Sequence, residues 1–385
     1  MPPLANKMSH IKPFYVMDLL ARAHELEAQG QDIVHMEVGE PDFPTPTPIV
    51  NAGIAALQAG KTSYTPAAGL PELRQAIADH YLKIYQLDMP ASRILVTPGA
   101  SGALQLALAV SVNPGDKVML ADPGYPCNRH FAALFEAEVI AVPVSAKTDY
   151  QLNAELLAEH WDDAVRVVML ASPSNPTGSI IADSELQAMV DFVEKHQALL
   201  IVDEIYHGLC YGDKPDTALK YSDKVFVVNS FSKYFGMTGW RLGWLVAPEN
   251  MFNACDRLAQ NIFLAAATPS QHAALAAFSN TTKNIVENRC EEYRQRRDYL
   301  LPQLTQLGFD VKVKPEGAFY IYAGCEKFSD DSLRFCQDLL ENIGVAITPG
   351  IDFGNNKPET HVRFAYTSAM QRLELGIQRM QSYLK

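Results

Sequence analysis

Four short runs constrain this chain more than anything else in it: Lys117–Ala121 (KVMLA), Arg166–Ala171 (RVVMLA), Ala198–Asp203 (ALLIVD) and Lys224–Asn229 (KVFVVN). Each is apolar without alternation, so the strand it predicts must be covered on both faces. Helical periodicity separates them, at about 127–137 and 183–196, and further helices are predicted over about 48–59, 71–86 and 101–112. Strands alternating with helices are the pattern of an α/β protein, a parallel sheet with helices on both sides. At 385 residues, 48% hydrophobic and 20% charged, the chain has material for a large core, which excludes disordered, collagen-like and coiled-coil architectures.

The two ends have a different texture. A helix is predicted over 14–29, closed by Gly30, and a strand over 33–38. The run Gly39-Glu40-Pro41-Asp42-Phe43-Pro44-Thr45-Pro46-Thr47-Pro48 is too proline-rich for either element and reads as a stiff, extended linker. After residue 285 a charged helix (Asn288–Leu304) leads into strand patterns at 309–313, 318–323, 344–347 and 361–366, with helices at about 330–342 and 368–384. The expectation is a large α/β domain over 47–285 and a smaller α+β domain built from 1–46 and 286–385. Internal repeats and low-complexity tracts are absent from the sequence.

A net charge of −12 disfavours nucleic acid and anionic membrane as partners, while a few buried arginines could still receive small anions. Six scattered cysteines without a CxxC are expected as reduced thiols, and no apolar run approaches the roughly 18 residues of a membrane span, so the cytoplasm is the expected compartment. Several motifs fail on spacing. Gly60-Lys61-Thr62 has Gly53 too far upstream for a phosphate loop, and GxGxxG and HExxH do not occur. Ser101 lacks the second glycine of a nucleophile elbow at position 103. No metal site is expected.

The chemistry gathers in Ser230-Phe231-Ser232-Lys233-Tyr234-Phe235-Gly236-Met237-Thr238-Gly239-Trp240-Arg241-Leu242-Gly243. It directly follows the strand 224–229, and open α/β sheets bind ligands beyond the carboxyl ends of their strands. Ser230, Ser232 and Arg241 can together hold a dianionic phosphate. A lysine amine beside a phosphate site suits a carbonyl compound with a phosphate tail, held covalently.

Ser-x-Ser-Lys followed by Met-Thr-Gly-x-Arg-x-Gly resembles the lysine-attachment motif of the class I/II aminotransferases, pyridoxal-phosphate (PLP) enzymes of fold type I, and further landmarks follow in family order from about residue 35 to 366. The resemblance implies a large domain with a mostly parallel seven-stranded sheet sandwiched by helices, a smaller α+β domain, and a homodimer with shared active sites. It makes Lys233 the residue that holds the cofactor and moves the substrate proton. Asp203, at the end of ALLIVD, would meet the pyridine nitrogen; an acid there is costly unless it meets a cation. Tyr206 and Asn175, in Ser174-Asn175-Pro176-Thr177-Gly178, would reach the cofactor's 3′-oxygen. The Ala100 and Ser101 amides would receive the phosphate at a helix N-terminus; some relatives carry a basic residue at position 101. Tyr125 would stack on the ring, and Tyr64 would cross the dimer interface to the partner's phosphate. Arg363 would clamp the substrate carboxylate, with Gly39 offering a backbone contact to the same group.

Transfer of an amino group between an L-amino acid and a 2-oxo acid by ping-pong half-reactions is therefore expected. A β-elimination carbon–sulfur lyase uses the same residues up to Cα deprotonation. A PLP-binding regulatory module is disfavoured by the short segment before residue 47 and the acidic charge.

Overall fold

The computed structural model describes residues 3–384. Its twelve strands are β1 (Val34–His35), β2 (Ile94–Thr97), β3 (Lys117–Asp122), β4 (Glu138–Pro143), β5 (Val165–Ala171), β6 (Leu199–Asp203), β7 (Phe226–Ser230), β8 (Gly243–Val246), β9 (Tyr320–Gly324), β10 (Val345–Ala346), β11 (Thr348–Pro349) and β12 (His361–Ala365). The helices are α1 (Tyr15–Ala28), α2 (Thr47–Gln58), α3 (Pro71–Tyr85), α4 (Gly99–Ala109), α5 (Pro126–Leu134), α6 (Ala154–Glu159), α7 (Asp183–Lys195), α8 (Glu249–Ile262), α9 (Thr268–Leu275), α10 (Asn280–Leu307), α11 (Ser332–Ile343) and α12 (Met370–Tyr383).

Seven strands form one sheet in the order β2-β8-β7-β6-β5-β3-β4, parallel except for β8, which runs against both its neighbours. This is the mostly parallel seven-stranded α/β sheet that the resemblance implied. All four apolar runs lie in it as β3, β5, β6 and β7. Their side chains divide between two cores, one on each face: Val168, Val202 and Val227 on one side, Val167, Ile201 and Val228 on the other. A third core gathers α1, α10, α11, α12 and the short strands around β9 and β12.

Three strand expectations are corrected. Residues 309–313 are not a strand; Asp310 makes only an isolated bridge to Gly324 before the chain leaves the edge. The strand expected at 344–347 is only β10, which pairs with β1, and a separate strand just beyond it, β11, pairs with β12 in another sheet. The strand expected over 33–38 shrinks to β1, because the Glu37 carbonyl accepts from the Arg363 and Thr348 side chains instead of from a neighbouring strand.

The proline-rich linker is fixed at three points. Buried Arg296 of α10 holds Asp42 with both Nη atoms, at 2.8 and 3.0 Å. Thr45 Oγ1 donates to the Gly236 carbonyl at 2.7 Å, and Trp240 Nε1 donates to Thr45 Oγ1 at 3.0 Å. This draws Gly39 and Glu40 over the end of β7. Among the described residues all six cysteines are unpaired, and no helix is long and apolar enough to cross a membrane.

Candidate active site

β2, β3, β5, β6 and β7 all end at one sheet edge, and the loops that follow them deliver Ala100, Tyr125, Asn175, Tyr206 and Lys233. β8 runs the other way and begins at that edge, with Gly243 opposite both Thr97 and Ser230. A Cβ at Gly243 would lie 2.8 Å from the Ala100 nitrogen, so glycine is what allows the start of α4 to settle there. The result is a cavity of about 450 Å³. Gly39, Ala100, Ser101, Tyr125, Asn175, Asp203, Tyr206, Ser230, Ser232, Lys233, Arg241 and Arg363 all line it, so twelve of the thirteen residues expected from the sequence meet in one place. Tyr64 is elsewhere, 84% exposed on the surface of the chain.

One end of the cavity is an anion cradle. Pro98 precedes α4 and offers no side-chain cap, so the first N–H groups of the helix face the cavity without a side-chain acceptor. Gly99 has φ +71°, and a Cβ there would lie 2.7 Å from Arg241 Nη2. Arg241, itself at φ +50°, is anchored through Nη1 to the Thr238 carbonyl at 3.0 Å. Ser230 Oγ accepts from the Ser232 N–H at 3.0 Å, which draws both hydroxyls to the same rim. A helix N-terminus, a guanidinium and two hydroxyls around one space form a phosphate site.

At the centre Lys233 Nζ donates to the Gly39 carbonyl at 2.6 Å. Burial pulls its pKa down to about 8, with Arg363 and Arg241 adding to the fall while Glu40 and Asp203 oppose it. Across the cavity Asp203 is buried and pushed up to about 6 by desolvation, against the Ile205 N–H that donates to Oδ1 at 3.0 Å. Among the described residues it has no cationic partner within ion-pair distance. A cradle for a phosphate, a buried acid that needs a cation, and an amine with a lowered pKa match the three ends of PLP, so the residues fit that cofactor.

The opposite end can receive a carboxylate. Arg363 of β12 is buried; its Nη1 donates to Asn175 Oδ1 at 2.9 Å and Nη2 to Thr348 Oγ1 at 3.0 Å. Its guanidinium lies 4.3 Å from the centre of the Tyr320 ring. Arg363 Nε is buried without an acceptor, which leaves a donor for an incoming anion. With Oδ1 of Asn175 engaged, the amide NH₂ is the end left to donate.

Tyr320 belongs to an aromatic group (Phe14, Tyr15, Phe319 and Tyr320) that would suit an apolar side chain but reads from the sequence more readily as core packing, and it lines the cavity. Its hydroxyl lies 2.7 Å from the Tyr206 hydroxyl, and a Cβ at Gly39 would fall 1.7 Å from it. A tyrosine in a strand normally reads as core, and only its pairing with Gly39, 281 positions away, reveals it. Glu40, Thr348 and the apolar group Phe14, Val16, Met17 and Leu20 were likewise not assigned.

Comparison with known proteins agrees. The family model for aminotransferase class I and II matches residues 31–379. A valine–pyruvate aminotransferase of Mycobacterium tuberculosis is 38% identical, covering 97% of each chain. The crystal structure of an aminotransferase from Mycobacterium tuberculosis superposes with a TM-score of 0.96 at 37% identity, covering 100% of this chain and 99% of that one. Aspartate aminotransferase from Thermus thermophilus with maleate gives a TM-score of 0.94 at 31% identity, covering 99% of this chain and 100% of that one.

Proposed function

Because this chain belongs to the class I and II aminotransferases, which are PLP-dependent enzymes of fold type I, we propose that it exchanges an amino group between an L-amino acid with an apolar side chain and a 2-oxo acid, in alternating half-reactions. The observation that carries the substrate class is the wall facing Lys233. Phe14, Val16, Met17, Leu20 and Val38 line it, and among the described residues the only cations in the cavity are Lys233, Arg241 and Arg363. The first two serve the cofactor and the third takes the α-carboxylate, so among the described residues the cavity of one copy holds no further cation for a distal carboxylate. The valine–pyruvate relative supports the same reading.

PLP, when bound, supplies an aldehyde for the amine and an electron-poor ring that accepts charge from Cα. The protein does the rest. Ala100, Ser101, Ser230, Ser232 and Arg241 hold the phosphate. Asp203 would hold the ring nitrogen in its protonated form, Tyr125 would pack on the ring, and Tyr206 with Asn175 would donate to the 3′-oxygen. Arg363, oriented by Asn175 and Thr348, fixes the α-carboxylate and thereby aims the Cα–H bond. Lys233 Nζ, whose lowered pKa gives it a usable neutral fraction near neutrality, removes the Cα proton and returns it. Among the described residues, 47–285 form the cofactor-holding domain, and 3–46 with 286–384 the smaller one.

Tyr64 supports a homodimer with shared sites. It is exposed, as are the apolar Ile54, Leu57, Ile262 and Leu264, and exposed apolar groups are what a second copy would cover. The test is a panel of single amino acids with pyruvate as acceptor, following conversion to the amino form of the cofactor. Valine, leucine or phenylalanine should react faster than aspartate. A preference for aspartate would overturn the substrate class, and full activity in Lys233→Ala would overturn the mechanism.

A further inference from the structure

A second cavity, of about 620 Å³, lies outside the catalytic pocket between α3, the start of α10 and the segment after Tyr206. Its walls are aromatic: His80, Tyr85, Tyr234, Phe235, Trp244 and Phe278 all face it. Small-molecule sites occupy about 300–1,000 Å³ and combine apolar rings with a few placed polar groups. The polar groups here are neutral imidazoles. His207 Nδ1 lies 2.7 Å from the Tyr85 hydroxyl, and burial lowers His207 to about 4. His80 is lowered to about 4 by burial, with Lys83, Lys214 and Lys283 adding to the fall, and its ring makes no hydrogen bond among the described residues.

The charge at the mouth has a sign. Lys283 is paired with Glu287 at 3.6 Å and Arg294 with Glu291 at 2.5 Å. Lys83 and Lys214 have no carboxylate within ion-pair distance among the described residues, and both line the cavity. Asp79 is the one lining acid without a cation, and its Oδ1 accepts from Gln75 at 2.8 Å. Aromatic walls beneath two uncommitted ammonium groups suit an aromatic ring that carries one carboxylate.

The geometry points to a second binding site for a small aryl carboxylate, backing directly onto the catalytic pocket. The two cavities share their partitions. Tyr206 faces the lysine and His207 faces the second cavity; Ser230, Ser232 and Lys233 line one, and Asn229, Tyr234 and Phe235 line the other. The site does not depend on the substrate class proposed above.

The probe is 3-phenylpropionate, titrated calorimetrically into the cofactor-loaded Arg363→Ala enzyme, in which the catalytic carboxylate clamp is gone. One equivalent should still bind per chain and change the emission of buried Trp244. Ala76→Trp, which intrudes on the cavity from α3, should weaken it by about tenfold or more. Lys83→Glu with Lys214→Glu should weaken it by about fivefold, and 3-phenylpropionamide should bind correspondingly less well. In the wild-type background these cavity variants should keep their turnover, which shows that they fold. Loss of all binding in Arg363→Ala overturns the proposal, as does binding there that ignores both the filled cavity and the reversed charges.

Discussion

Asp203→Asn should make the cofactor-free protein more stable while crippling the loaded enzyme. The carboxyl is buried at the end of β6, and desolvation moves its titration from the ordinary 3.8 up to about 6. Folding therefore takes up a proton between those two values, and stability falls as pH rises through that window. Above it the charged acid costs about 3 kcal/mol, by the usual conversion of a pKa difference. The amide keeps the acceptor for the Ile205 N–H, which donates at 3.0 Å, and removes the charge. Urea unfolding of the cofactor-free chains, followed by far-UV circular dichroism, should show the variant ahead by up to about 3 kcal/mol at pH 7.5, about half of that at pH 5, and almost nothing below pH 3.8.

Saturating PLP should reverse the order. Wild type gains the binding free energy of a cofactor whose protonated ring meets a carboxylate, about 4.1 kcal/mol at a thousandfold excess over Kd, more than the lead of the cofactor-free variant. The variant binds a ring that meets only an amide, and gains less. A cofactor-free variant that is no more stable than wild type at pH 7.5 would refute the reasoning. So would an advantage that does not shrink between pH 7.5 and pH 5, because it would then owe nothing to ionisation.

Arg363→Lys loses the planar fork held by Asn175 and Thr348; kcat/KM for amino and oxo acids should drop about 10- to 100-fold, the worth of one charged hydrogen bond, and unchanged kinetics would remove Arg363 from the substrate. Lys233 titrates near 8, so uptake of PLP by the cofactor-free chain should climb about fivefold from pH 7 to pH 8 and level off above 9. A rate still rising through pH 10 would mean an ordinary lysine. A mixed dimer with Tyr64→Phe in one chain and Lys233→Ala in the other should keep one intact site if Tyr64 acts across the interface, built on the Lys233 of the Tyr64→Phe chain with the tyrosine of the other copy, whereas both substitutions in one chain should leave no intact site; activity that ignores how the two substitutions are distributed would place Tyr64 outside the site.

The central strands were legible because their chemistry is local: four unbroken apolar runs predict strands covered on both faces, and β3, β5, β6 and β7 are those strands. β8 escaped because GWLV is four residues long and follows the lysine motif without a helix, so the alternation that exposes a parallel strand is missing. The expected strand at 309–313 failed for the opposite reason. Its apolar spacing is correct for a strand, but pairing is a property of the neighbour, and only Asp310 finds one. In the site, Lys233 and Arg241 are visible because glycines and hydroxyls surround them in sequence, and Asp203 because it is an acid at the end of an apolar run. Tyr320 and Thr348 are visible only once β9, β11 and β12 bring them against Arg363 and Gly39, and no local pattern encodes that meeting.

Burial alone does not distinguish a working acid from a structural one, as the adjacent pair at the end of β6 demonstrates. Glu204 is as buried as Asp203 and is pushed up further, to about 8. Yet Thr217 Oγ1 and the Ala218 N–H both donate to its Oε1, at 3.0 and 2.8 Å, and its other oxygen sits 3.5 Å from His207 Nδ1. Its surroundings are protein, so its raised pKa is a local compromise of packing. Asp203 has one backbone donor and then a cavity that also contains a lysine whose pKa burial lowers, an arginine with an unmatched Nε, and a helix start without a cap. Each of those is a local cost the fold does not offset by itself, and all four point into the same space. Four independent deficits converge there only if one ligand, with its substrate, supplies what each lacks: a cation for Asp203, a carbonyl for Lys233, a carboxylate for Arg363 and a phosphate for α4.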